Sequence, residues 1–315
     1  MPAYSILLEL DVQLRSADEY QALVLRWLDE GSRVLAPDVR AALDTVDLPS
    51  EIPQSGDDPY GPPNSPWGRF YISTDRPAGP PRGSGRPVGA KGWAWLRRQL
   101  ATPKANAMIQ LLRHGPDGSL ASSVYLQAHG GAMSPGWVRL TTTRSSDTFP
   151  AEEGLWTGFL RSWAEEVNPS YGQIGIGHAM DRTTLETRLP NDFGRNSPPN
   201  TVIESPQFLR GYTWITVIAD ELARRLGGLD GIRATGAFAE VAQLGNGGVW
   251  LRSTDRFESY DQAAAERVFD ALAPVIRPGK PEPRTFVPGT RVFRDGDGDT
   301  PYLLVYEDAA KRRES

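Results

Sequence analysis

The chain has 315 residues, including 32 glycines, 27 prolines and no cysteine, which excludes disulfides, thiolate metal sites and cysteine nucleophiles. Hydrophobic residues make up 39% and charged residues 23%, with nine tryptophans, the composition of a globular chain with a real core. The net charge of −5 argues against general nucleic-acid binding.

The N-terminal run MPAYSILLELDVQL lacks the basic, apolar and cleavage regions of a secretory signal. No run approaches the ~18 apolar residues of a membrane span. A cytoplasmic protein that does not enter membranes is therefore expected.

Loose alternation over residues 4–11 predicts a first strand. Ser16 and Glu19 have the spacing of a capping box. Behind them Tyr20, Leu23, Val24, Trp27 and Leu28 recur at helical period, predicting an amphipathic helix from 17 to 35. Residues 49–89 hold ten prolines and seven glycines, and only 68–73 (GRFYIS) reads as a strand there. The rest of that stretch is expected to be irregular loop. A short helix is predicted at 92–100.

Two apolar runs, 106–112 and 121–128, flank the turn GPDG and predict a β-hairpin. Residues 137–145, rich in β-branched side chains, predict a further strand. Glu152 and Glu153 open a second helix with the stripe Leu155, Trp156, Phe159, Leu160, Trp163 and Val167. A strand over 171–179 follows. Residues 183–207 are polar and Pro/Asn-rich and read as a connecting loop. Then come a strand at 211–218, a helix at 219–228 and a hairpin of 237–244 with 249–254. A helix follows Ser259 and Gln262, read as a second capping box. A last hairpin spans TRVFRD and PYLLVYED.

This order predicts an α+β fold of mainly antiparallel sheet with helices packed on one face. Two similar α+β halves are one arrangement of it. The boundaries read as 1–182 for an N-terminal half carrying a Pro/Gly-rich insertion at 49–91, then 183–207 as connector and 208–315 as C-terminal half.

Chemical motifs are sparse. His114, His129 and His178 are the only histidines, and none has a second histidine at i+4. The glycines of GQIGIG do not follow the dinucleotide-binding order. In DGDGDT (295–300) Thr300 stands where a calcium loop needs glycine, and Tyr306 where it needs a bidentate carboxylate. Glu152-Glu153 and Glu165-Glu166 read as solvated helix faces. No cofactor and no metal are expected.

Charge is uneven. Between Arg69 and Arg113 lie nine Lys/Arg and one acid, a formal +8 that leaves −13 for the rest. Its exposed members, nominated as Arg82, Arg86, Lys91, Arg97 and Arg98, are the candidate surface for an anionic partner. A solvated basic loop balancing an acidic body is the alternative.

From residue 210 to about 286 the chain resembles a known family. RGYTWITVIADELARRLGG is similar to the G-Y-x-W-x-T…L-x-x-x-L-G-G stretch of the type VI secretion immunity-like family, long described as a domain of unknown function. NGGVWLRST and YDQAAAERVFDALAPVIRPGKP resemble that family's closing hairpin, helix and proline-containing tail. WAEEVNPSYGQIGIG resembles its acidic helix leading to a Tyr-Gly strand. The resemblance implies a cytoplasmic protein that binds and neutralises a cognate toxin or conflict-system effector, without catalysis of its own. It assigns no site residues.

Two other readings stay open. One is an enzyme whose site is assembled by folding, with His129 or His178 as general base. The other is a nucleic-acid-binding module using 69–113, with Trp67, Phe70, Tyr71, Trp93 and Trp95 available to stack bases.

Overall fold

The computed structural model describes residues 5–46, 48, 54–55, 58–74, 82–130, 135–177, 182–190, 194–282 and 303–312. Its strands are β1 (Ser5–Gln13), β2 (Gln54–Ser55), β3 (Asp58–Pro59), β4 (Pro66–Thr74), β5 (Arg82–Pro87), β6 (Asn106–His114), β7 (Leu120–His129), β8 (Trp137–Ser145), β9 (Tyr171–Ile176), β10 (Ile215–Ile218), β11 (Glu240–Gln243) and β12 (Val249–Arg252). Its helices are α1 (Ala17–Leu35), α2 (Pro37–Leu43), α3 (Ala90–Gln99), α4 (Phe149–Val167), α5 (Thr184–Arg188), α6 (Pro198–Ile203), α7 (Asp220–Arg225), α8 (Gly228–Ala234), α9 (Gln262–Leu272) and α10 (Ala309–Arg312). The fold is α+β with antiparallel strand pairing, as the element order predicts.

The chain divides into two compact units, one of residues 13–143 and one of residues 1–12 with 144–315. These boundaries differ from the expected 1–182 and 208–315. β1 pairs with β9, so the first strand belongs with the later residues.

In the 13–143 unit the strand order is β8-β7-β6-β4-β5. α1 buries Tyr20, Leu23, Val24, Trp27 and Leu28, the stripe its spacing predicts. The expected capping box is not formed: Ser16 makes no side-chain cap. Glu19 instead accepts from the Arg15 backbone N–H and pairs with its guanidinium. α2 sits over β4 at Gly68, where an added Cβ would come within 2.7 Å of Leu43 Cδ1. α3 packs Trp93 edge-on against Phe70, ring centroids 4.7 Å apart. Buried Arg40 ties the helices together through Asp29 and Asp44, and its guanidinium lies 5.1 Å from the Trp93 ring centre.

The expected loop at 49–89 contains more structure than its composition suggests. β5, RGSGRP, pairs with β4 along its whole length, from Thr74↔Arg82 to Arg69↔Pro87. Its residues 82–86 are all exposed, so no apolar alternation marks it. Its proline is tolerated because β5 ends the strand order.

In the other unit the strand order is β11-β12-β10-β9-β1. Its apolar core gathers Leu222, Ile232, Leu251, Val268, Phe269 and Leu272 with Tyr171 and Tyr212. Trp214, Phe149 and Phe257 form a triangle of edge-to-face rings with centroids 5.5–6.1 Å apart. α4 starts at Phe149 with Pro150 in its first turn, and Leu155 of the expected stripe is exposed. The predicted helix over 219–228 is two helices, because Gly227 and Gly228 both take positive φ. α9 is capped by Asp261, which accepts from Ala264 N–H at 2.8 Å, and not by Ser259. The segment read as connecting loop holds α5 and α6. α5 carries a complete capping box between Thr183 and Glu186. Residues 303–306 are not in a strand, and the first arm of the expected last hairpin lies outside the described residues, as does DGDGDT.

At the centre of this unit lies a charged cluster that the residue spacing does not announce. Arg210, Glu9, Asp11 and Glu186 are each 0% exposed. Arg210 grips Glu186 with two bonds, Nε at 2.8 Å and Nη2 at 2.9 Å. Its Nη1 donates to both Glu9 and Asp11. Burial alone would lower the Arg210 pKa, but Asp11, Glu186 and Glu9 hold it well above its ordinary value. Gln173 donates to Glu9 at 2.8 Å, and the Tyr171 hydroxyl donates to Gln173 at 3.0 Å. The network joins β1, β9, α5 and the segment entering β10.

Removing Arg210 would leave buried carboxylates without their cation. Arg210→Met is expected to cost about 3–5 kcal/mol, read as a lower urea midpoint for this unit. Arg224→Met, which breaks only exposed pairs with Asp220 and Glu221, is expected to leave the midpoint unchanged.

Candidate partner-binding site

The five nominated cations fall on two adjoining elements of the 13–143 unit. Arg82 and Arg86 are on β5; Lys91, Arg97 and Arg98 are on α3. All five are exposed. α3 turns Gly92, Trp93 and Leu96 inward, which leaves its three cations on the outer side. Arg86 lies opposite Phe70 in the register, on the face of the sheet that α3 covers. Its guanidinium stacks 5.8 Å from the ring centre of half-buried Trp95, linking strand to helix.

Many described arginines elsewhere are paired with carboxylates. Arg33 pairs with Asp29, Arg144 with Glu152, Arg161 and Arg252 with Glu240, and Arg277 with Glu204. Among the described residues Arg82, Arg86, Lys91, Arg97 and Arg98 meet no carboxylate.

The +8 segment is not one surface. Arg69 sits opposite Pro87, on the other face of the sheet from Arg86, and its Nε donates to Gln110 at 2.9 Å. Of the aromatics considered for base stacking, Trp67, Phe70 and Trp93 are buried at 6%, 0% and 8% exposure, where they anchor the elements to the core. Tyr71 and Trp95 are half-buried.

The histidines are dispersed. His114 is buried beneath Gly61, and its Nδ1 lies 3.0 Å from Ser65 Oγ. Ser65 Oγ also lies 2.6 Å from the Pro62 carbonyl, to which it donates. His129 ends β7, half-buried, with Nε2 3.5 Å from Thr141 Oγ1. His178 lies outside the described residues. A cavity of 360 Å³ opens in the other unit between Ile176, Thr184, Tyr212, Phe257 and Asp261; no described histidine lines it. No set of His, Asp or Glu able to hold a metal occurs among the described residues, and none of their helices is long and apolar enough to cross a membrane.

The sequence reading named the cations and missed the strand that carries two of them. The available signal was the alternation R-G-S-G-R closed by proline, which marks an exposed sheet edge.

No protein-family model matches the chain, and no curated protein matches it. Among solved structures, Pseudomonas aeruginosa T6SS protein PA0821 has a similar fold. It matches with a TM-score of 0.51 at 12% identity over 98% of this chain and 82% of that one. At this identity the likeness is one of fold.

The edge strand has a specific steric requirement. A Cβ on Gly85 would stand 2.8 Å from the Phe70 backbone oxygen, which cannot move aside, whereas a Cβ on Gly83 would meet the end of the Tyr71 side chain, which can. Gly85→Val is expected to cost about 1–3 kcal/mol and to speed amide exchange along β5. Gly83→Ala is expected to cost less, and equal losses from the two would contradict this packing.

Proposed function

We propose that this protein is a non-catalytic binding protein of immunity type, linked to type VI secretion, that neutralises a cognate effector by covering it. Its contact surface is the basic edge formed by β5 and α3. The observation that carries the reading is the clustering, on the adjoining β5 and α3, of five exposed cations that meet no carboxylate among the described residues. The sequence resemblance over 210–286 and the fold shared with a P. aeruginosa T6SS protein support it. Cations left free on one surface of an acidic chain would speed encounter with an acidic face of a partner. Occlusion needs no reactive group, only a surface held rigid by the sheet and helix behind it.

The reading is tested with type VI effectors encoded beside the gene for this protein. One of them should bind in titration calorimetry and lose its toxicity when the two are co-expressed. The variant R82E/R86E/R98E should bind roughly tenfold or more weakly, with a flatter dependence on salt. If no such effector binds, or if the variant binds with unchanged affinity and salt dependence, the reading fails.

A further inference from the structure

We infer that β5 is a docking edge that accepts an extended acidic segment of the partner as an added strand. This rests on the proposed binding role and specifies how the surface is used. Among the described residues β5 is the terminal strand of its sheet, paired on one side only. The pairing pattern identifies which backbone groups face outward. Val88 N–H donates to Gly68 O at 2.9 Å, which makes Gly68↔Val88 a hydrogen-bonded position of the antiparallel ladder. Bonded and non-bonded positions alternate, so Arg86, Ser84 and Arg82 turn their backbone groups toward β4. Gly85 and Gly83 therefore turn their N–H and C=O away from β4, to the open edge. Pro87 shares that phase and has no N–H to leave unpaired.

Both residues that present outward backbone groups are glycine and add no side chain of their own to the edge; Arg86 Nη1 donates to the Gly85 carbonyl at 3.0 Å, and an incoming strand would take that place. On the other face of the strand stand Arg82 and Arg86, four residues and ~13 Å apart. A strand laid along β5 would bond to Gly83 and Gly85 and place carboxylates spaced four residues apart beside the two arginines. A second copy of this chain is disfavoured as the occupant, because it would bring like charges against each other along the same edge. Charge complementarity commits the edge to an acidic segment in extended conformation, recognised by strand addition.

The experiment uses the full-length protein and a synthetic peptide of alternating glutamate and valine. A second peptide of the same sequence is N-methylated on the backbone face that would pair with β5, and a third probe is an oligothymidylate of matched charge. Amide exchange at Gly83 and Gly85 is followed by NMR while affinity is measured by titration. The expected result is binding of the first peptide with slowed exchange at both glycines, and roughly tenfold or greater weakening on N-methylation. Equal binding of the two peptides, or binding without protection of Gly83 and Gly85, would show that charge alone acts and overturn the inference while leaving the binding role intact. Tighter binding of the oligothymidylate, absence of peptide binding, or a dimer that protects the same glycines would also overturn it.

Discussion

An arginine with no exposed surface must be matched by charge and by hydrogen bonds, or it would destabilise the core that holds it. Arg210 meets this requirement through Glu186, Glu9 and Asp11, which lie 24, 201 and 199 residues away in sequence. The demand fixes several elements at once. β1 must bring Glu9 and Asp11 to one face, which its alternation does while Ile6, Leu8 and Leu10 pack on the other. β9 must stand beside it in a register that sets Gln173 against Glu9 and Tyr171 against Asp11. α5 must be held in place by its capping box so that Glu186 reaches the guanidinium. The apolar core of this unit, from Leu222 to Phe269, then closes around an arrangement whose charges leave little freedom of register.

The 13–143 unit handles charge differently. Arg40 is buried and paired, and serves the packing of α1, α2 and α3. The cations of β5 and α3 are left to solvent, and one of them, Arg86, donates to the Gly85 carbonyl of its own strand. One kind of residue thus has two roles in the chain. Buried arginines such as Arg210 and Arg40 hold elements together, and in the proposed role the exposed cations of β5 and α3 would steer a partner.

Much of the fold was legible from residue spacing. The period of Tyr20, Leu23, Val24, Trp27 and Leu28 determined α1, and GPDG between apolar runs determined the β6–β7 hairpin. Both signals are local, and burial enforces them. Charged residues in the core gave no such signal. Glu9 and Asp11 read as the polar side of a strand, Glu186 as part of a loop and Arg210 as the entry to another strand. Only the tertiary structure brings them together. β5 escaped for the opposite reason: it buries nothing, so it leaves no apolar period. Ser16 and Ser259 carried a capping spacing without making the caps, because Arg15 claims Glu19 and Asp261 caps α9 instead. The nominated cations were legible as a count, whereas their division between two faces of a sheet depends on strand register.

In the proposed complex the partner lands on the β5 and α3 cations, which phenylglyoxal footprinting of arginines, with and without the bound effector, can read residue by residue. Arg82, Arg86, Arg97 and Arg98 are expected to lose reactivity in the complex while exposed Arg15, Arg33 and Arg224 keep theirs. Unchanged reactivity at the four, with protection elsewhere on the molecule, would contradict that contact.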